Sequence, residues 1–306
     1  MSMPVLSEGS KNTEKRGHSR KTRNRILKSP PIHQSSRFAI NDLDPKKWKD
    51  YGDIITDSLW IFRRRDNSGS HKGDYWGNFV PQIPQQLLAR YSRRDDWVLD
   101  PFAGSGTTLI ECSRQGRNAI GIDISNDAVR NFTSYFYNPL SKSGVRIAYL
   151  QGDSTSLDFP KLISEYGINA VQLVILHPPY WDILKFTSEK SDLSNSDSLE
   201  TFLNRLTEVA RRCSLVLEEG RMMALVIGDK YSRGQWIPLG FYAMSRMISL
   251  GYILKSIVVK NFEETRGKNQ QKSLWRYRAL KGGYYIFKHE YIFIFQKIPS
   301  ALKRMK

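Results

Sequence analysis

Two short stretches of this chain carry residue types that could do chemistry. In "VILHPPYWD", residues 174–182, an apolar run ends on His177, Pro178, Pro179, Tyr180 and Trp181. The prolines have no backbone N–H to donate, so a strand in a sheet interior cannot continue through them. What remains is a stiff edge carrying backbone carbonyls and an imidazole. A neutral imidazole offers one ring nitrogen as donor and the other as acceptor. In "DPFAGSGTT", residues 100–108, Gly104 and Gly106 allow a sharp turn that opens a helix, and the N–H groups of a helix start can receive an anion. Asp123 follows Gly106 by 17 residues (123 − 106). An acid at that distance suits the two hydroxyls of a ribose. Leu109 stands where a dinucleotide-binding turn has Gly or Ala, so the pattern is adenosine-like rather than nicotinamide-like.

These groups need a frame to hold them. "WVLD" (97–100) reads as a buried strand, followed by a helix from about Thr107; "AIGIDIS" (119–125), "IAYLQGD" (147–153) and "AVQLVIL" (170–176) continue the series. Strands alternating with helical crossovers imply a parallel, doubly wound sheet. From about Ser198 the apolar residues Phe202, Leu206, Val209, Cys213 and Val216 recur at helical spacing, with Gly220 expected to cap that helix. "MMALVIGD" (222–229), a helix near 238–250, "YILKSIVVK" (252–260) and "HEYIFIFQK" (289–297) complete the pattern.

Composition narrows the partners. The formal net charge is +17, an excess that suits a polyanion. Nine basic residues lie between Lys11 and Arg37 against one acid, Glu14, so residues 1–37 read as a disordered basic arm. Residues 38–300 read as the globular domain and 301–306 as a tail. No apolar run approaches the roughly 20 residues that span a bilayer, and no secretory signal is visible, so an intracellular, cytoplasmic protein is expected. The two cysteines, Cys112 and Cys213, are too few for a disulfide framework or a cysteine-rich zinc site. Both read as buried packing residues, and no metal is expected.

"DPFAGSGTT" followed by "GIDIS" resembles the S-adenosylmethionine-binding motifs of the amino-methyltransferases that modify DNA at exocyclic nitrogens, cytosine N4 or adenine N6. "HPPY" resembles their catalytic tetrapeptide, residues 77–92 resemble the segment that caps the methionine end of the cofactor, and "HEYIFIFQK" resembles their last core strand. The resemblance implies a Rossmann-like methyltransferase sheet, mostly parallel with an antiparallel strand near the C-terminus. It implies that Asp100 and the backbone of Phe102, Ala103, Gly104, Ser105 and Gly106 hold the methionine portion of S-adenosylmethionine, Asp123 the ribose and Asp153 the adenine.

Catalysis would fall to His177, Pro178, Pro179 and Tyr180. An exocyclic amino group is a poor nucleophile because its lone pair is delocalised into the ring. Two acceptors, the first side chain of the tetrapeptide and a carbonyl of the Pro-Pro turn, would localise that pair toward the methyl group, and Tyr180 would stack on a base flipped from the duplex. The family usually has Asp, Asn or Ser at the position of His177, which leaves the target base open; the Tyr180-Trp181 pair inclines toward cytosine N4 over adenine N6. The basic, aromatic insertion at 261–288, with Arg266, Lys268, Lys272, Arg276 and Arg278, fits contact with double-stranded DNA, as does Lys185 after the catalytic turn. A restriction endonuclease is an allowed partner. Transfer to RNA guanine or protein glutamine, or an inactive DNA-binding relative, are the alternatives.

Overall fold

The computed structural model describes residues 40–299 apart from 74, 76, 139 and 263–271. The arm at 1–37, the tail at 301–306, Arg266 and Lys268 lie outside the described residues. The strands are β1 Leu59–Trp60, β2 Trp97–Asp100, β3 Asn118–Asp123, β4 Ile147–Gln151, β5 Val171–Leu176, β6 Leu217–Ile227, β7 Lys230–Ser232, β8 Gln235–Ile237, β9 Tyr252–Asn261 and β10 His289–Lys297. The helices are α1 Gln82–Tyr91, α2 Thr107–Gln115, α3 Asn126–Tyr135, α4 Phe159–Glu165, α5 Leu199–Val216, α6 Leu239–Ser249 and α7 Lys272–Gly282.

Eight strands form one sheet in the order β1-β9-β10-β6-β5-β2-β3-β4, and β7 and β8 form a separate hairpin. All neighbours in the large sheet run parallel except β10, which is antiparallel to both β6 and β9. A parallel sheet is covered on both faces, which is why its strands read as unbroken apolar runs. In β5, Val174 and Leu176 join one buried cluster with Phe202, Leu206 and Cys213 of α5, while Leu173 and Ile175 join the opposite one with Leu87 of α1 and Leu109 of α2. The period-two alternation of a strand sends successive side chains to the two faces. Both cysteines are buried, Cys112 in α2 and Cys213 in α5.

Helix α5 starts where Ser198 accepts the N–H of Thr201, a side-chain cap of the kind that Ser supplies well. Its buried stripe runs through Phe202, Leu206, Val209, Cys213 and Val216. Truncating Leu206 to Ala would cost about 2–5 kcal/mol by opening a cavity there. The expected cap at Gly220 is corrected by the structure: α5 ends at Val216 and β6 begins at Leu217. Gly220 instead lies inside β6 with φ +78°, near the point where the register between β5 and β6 shifts. A strand irregularity needing a left-handed residue explains this glycine.

The order of strands decides where a ligand can sit. From β2 the chain steps outward through β3 to β4, then returns to place β5 on the other side of β2. The crevice beyond the carboxyl ends of β2 and β5 is therefore the switch point at which such sheets bind ligands. "DPFAGSGTT" leaves β2 there and "HPPY" leaves β5.

Candidate active site

The glycine turn after β2 is built around two carboxylates. Asp100 is 2% exposed, and its Oδ1 accepts the Phe102 N–H at 3.0 Å. Burial pushes this carboxyl up to about 7, the neighbouring Asp123 adds to the rise, and the Phe102 N–H opposes it. Asp123, at the end of β3, accepts the Gly104 N–H and the Ser125 N–H at 2.8 Å each, one on each oxygen. Every carboxylate oxygen has a second lone pair, so both can still accept a hydroxyl. Burial raises the Asp123 pKa and these two N–H groups lower it.

Gly104 and Gly106 have φ of +52° and +78°, a region side chains disfavour. A Cβ on Gly106 would lie 2.2 Å from the Phe132 ring. Helix α2 then starts on Gly106 without a side-chain cap, leaving its positive end to the crevice. Ala103 N–H donates to Ile122 O at 2.9 Å, tying the turn to β3. Two tyrosines fix the turn's carbonyls: Tyr149 donates to Gly104 O and Tyr135 to Ser105 O at 3.0 Å. Asp153 Oδ1 accepts both the N–H and the hydroxyl of Thr155.

Leu109 has its own explanation. It is fully buried, and a Cβ on Gly121 of β3 would sit 2.6 Å from its methyl group and 3.0 Å from Ala103. The close helix-to-strand approach that a third glycine in α2 would allow is provided from the strand instead. Residues upstream cover the turn. Asn78 Oδ1 accepts from Ser105 Oγ and from Thr107 Oγ1, and the Tyr75 ring lies against Gly104 and stacks on Phe186 at 6.3 Å. Burial pushes the Tyr75 hydroxyl above its ordinary range, with Asp123 and Asp192 adding to the rise. Beside the turn is a cavity of about 320 Å³ lined by Lys72, Tyr75, Ser105, Phe132 and Tyr135 among others. Glycine spacing does not reveal Tyr75; its signal is an aromatic residue just before the 77–92 segment.

The tetrapeptide after β5 is held from several sides. Pro178 is buried while His177, Pro179 and Tyr180 are half-buried. The Phe79 ring stands edge-on to the His177 imidazole, centroids 4.5 Å apart. His177 Nε2 is 3.3 Å from the Tyr180 hydroxyl. Burial pushes His177 down to about 4, against an upward pull from Glu290 and with Lys260 reinforcing the fall. The imidazole is neutral throughout the physiological range. An ordinary histidine titrates near 6.5, well above this value.

The Tyr180 hydroxyl donates to Glu290 Oε2 at 2.6 Å. Burial, then Glu290, hold it far above its usual pKa, so it stays protonated. Gly228, just past β6, allows this ring to pack: a Cβ there would come within 2.9 Å of it. Trp181 donates its indole N–H to Ser196 O at 3.0 Å and receives the Lys230 ammonium over its ring at 4.0 Å. Lys230 also pairs with Asp182, so the β7–β8 hairpin grips the catalytic turn. The polar stretch that follows is bounded by two short 3₁₀ turns, Trp181–Ile183 and Leu193–Asn195. The buried Asp192 orders it by accepting from Thr187 and Ser194.

Of the expected DNA-contacting residues, Lys185 borders an open groove of about 650 Å³ with Lys190 and Arg205. Arg276 and Arg278 are exposed on α7, with Arg278 over the Trp275 ring at 5.5 Å. Lys272 is the first residue of that helix. The insertion therefore contains a helix where the sequence suggested only a basic, aromatic segment. Glu290, Lys260 and Gly228 are the residues that sequence reasoning missed. Glu290 had a visible signal: it is the only acid in the strand "HEYIFIFQK", next to an aromatic and apolar run.

Parts of the chain are similar to known proteins. A Type II methyltransferase of Methanocaldococcus jannaschii, M.MjaII, is 51% identical over 51 residues, which are 17% of this chain and 10% of that protein. M.MthZI of Methanothermobacter thermautotrophicus is 34% identical over 77 residues, covering 25% of this chain and 21% of its own. M2.DpnII of Streptococcus pneumoniae is 34% identical over 80 residues, covering 21% and 30% respectively. The chain thus spans less than a third of the length of each of these relatives. Among solved structures, TrmN from Thermus thermophilus aligns with a TM-score of 0.46 at 17% identity, over 76% of this chain and 50% of that one. The profile of the DNA methylase family matches residues 9–134 and 171–304, which is most of the sequence and takes in both the glycine turn and the tetrapeptide. The chain belongs to this N6/N4 DNA methylase family, whose cofactor is S-adenosylmethionine.

Proposed function

We propose that this protein transfers a methyl group from S-adenosylmethionine to an exocyclic amino nitrogen of a base extruded from double-stranded DNA. One observation carries the reading: the glycine turn with Asp123 and the His177-Pro178-Pro179-Tyr180 edge leave adjacent parallel strands at the same end of the sheet. The residues present fit the cofactor. The uncapped start of α2 suits its carboxylate, the free lone pairs of Asp123 suit its ribose, and Asp153, just beyond β4, is the acid we assign to its adenine.

S-adenosylmethionine, when bound, supplies an electrophilic methyl on a sulfonium. The protein's part is to localise the lone pair of the amino nitrogen and aim it. The neutral His177 imidazole accepts one of the amino hydrogens and the Pro178 carbonyl the other, an arrangement prepaid by the rigid prolines. Tyr180 and Trp181 form the wall beside the flipped base. We take cytosine N4 as the target, on the Tyr180-Trp181 pair that follows His177; adenine N6 is the alternative outcome of the test. The exposed arginines of α7, the groove at Lys185 and the arm at 1–37 supply phosphate contacts. The test is to incubate labelled cofactor with DNA, RNA and protein separately and to identify the labelled product after digestion. Label in N4-methylcytosine of DNA is the expected result; label confined to RNA or protein would overturn the proposal.

A further inference from the structure

Tyr180 has a single hydroxyl hydrogen, and its destination constrains His177. At 2.6 Å from Glu290 Oε2 the contact has the length of a charge-assisted hydrogen bond. A carboxylate can only accept, so the hydroxyl donates to it, and toward any other neighbour the phenol oxygen is an acceptor. The other neighbour is His177 Nε2, 3.3 Å away. That nitrogen must therefore carry the imidazole's proton. A neutral ring has only one such proton, so Nδ1 is left with a bare lone pair.

Glu290 is fixed from behind. It pairs across the β9–β10 ladder with Lys260, whose Nζ is 3.2 Å from Glu290 Oε1, and the two side chains are only 5% and 3% exposed. The contact is one of charge rather than an aligned hydrogen bond. A buried pair of this kind is weak support for stability. Its geometry does set direction: the Lys260 ammonium lies beside Oε1, while Oε2 takes the Tyr180 hydroxyl. Gly228 holds the Tyr180 ring in reach, and Phe79 holds the plane of the imidazole.

We infer that Glu290, oriented by Lys260, acts through Tyr180 to hold His177 in the Nε2-protonated tautomer, so that Nδ1 is the atom that accepts from the target amino group. Glu290 and Lys260 are then positioning residues that act through Tyr180, both on strands far in sequence from the catalytic turn. The inference rests on the reading of His177 as that acceptor.

The two can be tested apart, because a tautomer is visible without turnover. In protein labelled with ¹⁵N-histidine, the two-bond proton-nitrogen spectrum distinguishes a protonated from a bare ring nitrogen, and His177→Asn identifies the signals. Wild type should show Nε2 protonated and Nδ1 bare. In Glu290→Gln the carbonyl of the amide faces Lys260 and its NH₂ faces Tyr180. The hydroxyl hydrogen is then free to donate to Nε2, and the proton moves to Nδ1: the pattern reverses. Single-turnover methyl transfer to unmethylated genomic DNA should fall by roughly 10²–10⁴-fold, the scale seen when a catalytic imidazole is held in the wrong tautomer, with cofactor affinity unchanged. Adding Lys260→Met lets the amide turn its carbonyl to Tyr180, and both the pattern and the rate should return. A packing defect would not be rescued in this way. Tyr180→Phe, the safer variant for folding, should give averaged nitrogen signals.

A folded Glu290→Gln or Tyr180→Phe protein with the wild-type nitrogen pattern would overturn the inference. A reversed pattern with full transfer would leave the tautomer control standing and remove His177 from its role as acceptor.

Discussion

As the pH falls from 7 to 4, His177 should cost this protein a share of stability that a His177→Asn variant does not lose. The imidazole is pushed from its ordinary 6.5 to about 4 in the folded chain, so between those values the unfolded chain binds a proton that the folded one refuses. Stability then rises with pH across the window. This contribution is fully present above about 6.5, drains away as the pH falls toward 4, and is constant below. Each pH unit across the window is worth about 1.4 kcal/mol, which gives on the order of 3 kcal/mol; the ring keeps some solvent contact, so about 2 kcal/mol is the expected share. The assay is urea unfolding of wild type and His177→Asn at steps from pH 7 to pH 4. The variant has a different baseline stability, but only the slopes matter, and every other titrating group cancels between the two. Wild type should lose about 2 kcal/mol more than the variant over this range. Parallel slopes would refute the depressed pKa. The same shift has a catalytic consequence: methyl transfer should persist well below pH 6.5, where an ordinary histidine would have lost its acceptor.

Three further outcomes are expected. Gly228→Ala places a methyl group 2.9 Å from the Tyr180 ring, an overpacking that should cost about 1–3 kcal/mol in chemical denaturation and slow methyl transfer. Asp123→Ala removes the acceptor of the Gly104 and Ser125 N–H groups and should weaken cofactor binding by about 1–3 kcal/mol in calorimetry; unchanged affinity in a folded variant would take Asp123 out of the site. Arg276→Gln combined with Arg278→Gln should lower the slope of log affinity for DNA against log salt by about 2, one for each phosphate that is no longer neutralised, without changing sequence preference.

Much of the fold was legible because a parallel sheet buries both faces and prints uninterrupted apolar runs, such as residues 97–100 and 171–176. The two motifs were legible for a related reason: glycines with positive φ and paired prolines are local signals that need no partner to be read. Gly220 was misplaced because a glycine after a helical stripe looks the same whether it caps the helix or kinks the next strand. Leu109 looked like a departure from a glycine pattern, yet its compensation sits at Gly121, on another element. What stands behind Tyr180 was hidden by distance: it and Glu290 are 110 residues apart, and only the placement of β10 between β6 and β9 joins them.

That placement has a consequence for how the protein comes into being. Chains emerge at about 5–20 residues per second, N-terminal parts first, so both motifs and all the other strands of the large sheet are made before β10 exists. Until then β6 and β9 have no strand between them, and their facing edges present unpaired backbone groups that another chain could capture. Closing the gap requires pairings of long sequence separation, which form slowly. The cofactor turn can thus mature early, whereas the catalytic edge waits for residues 289–297 to insert. A nascent or truncated chain would be able to hold the methyl donor before it could direct a base toward it, and would be most exposed to aggregation in that same interval.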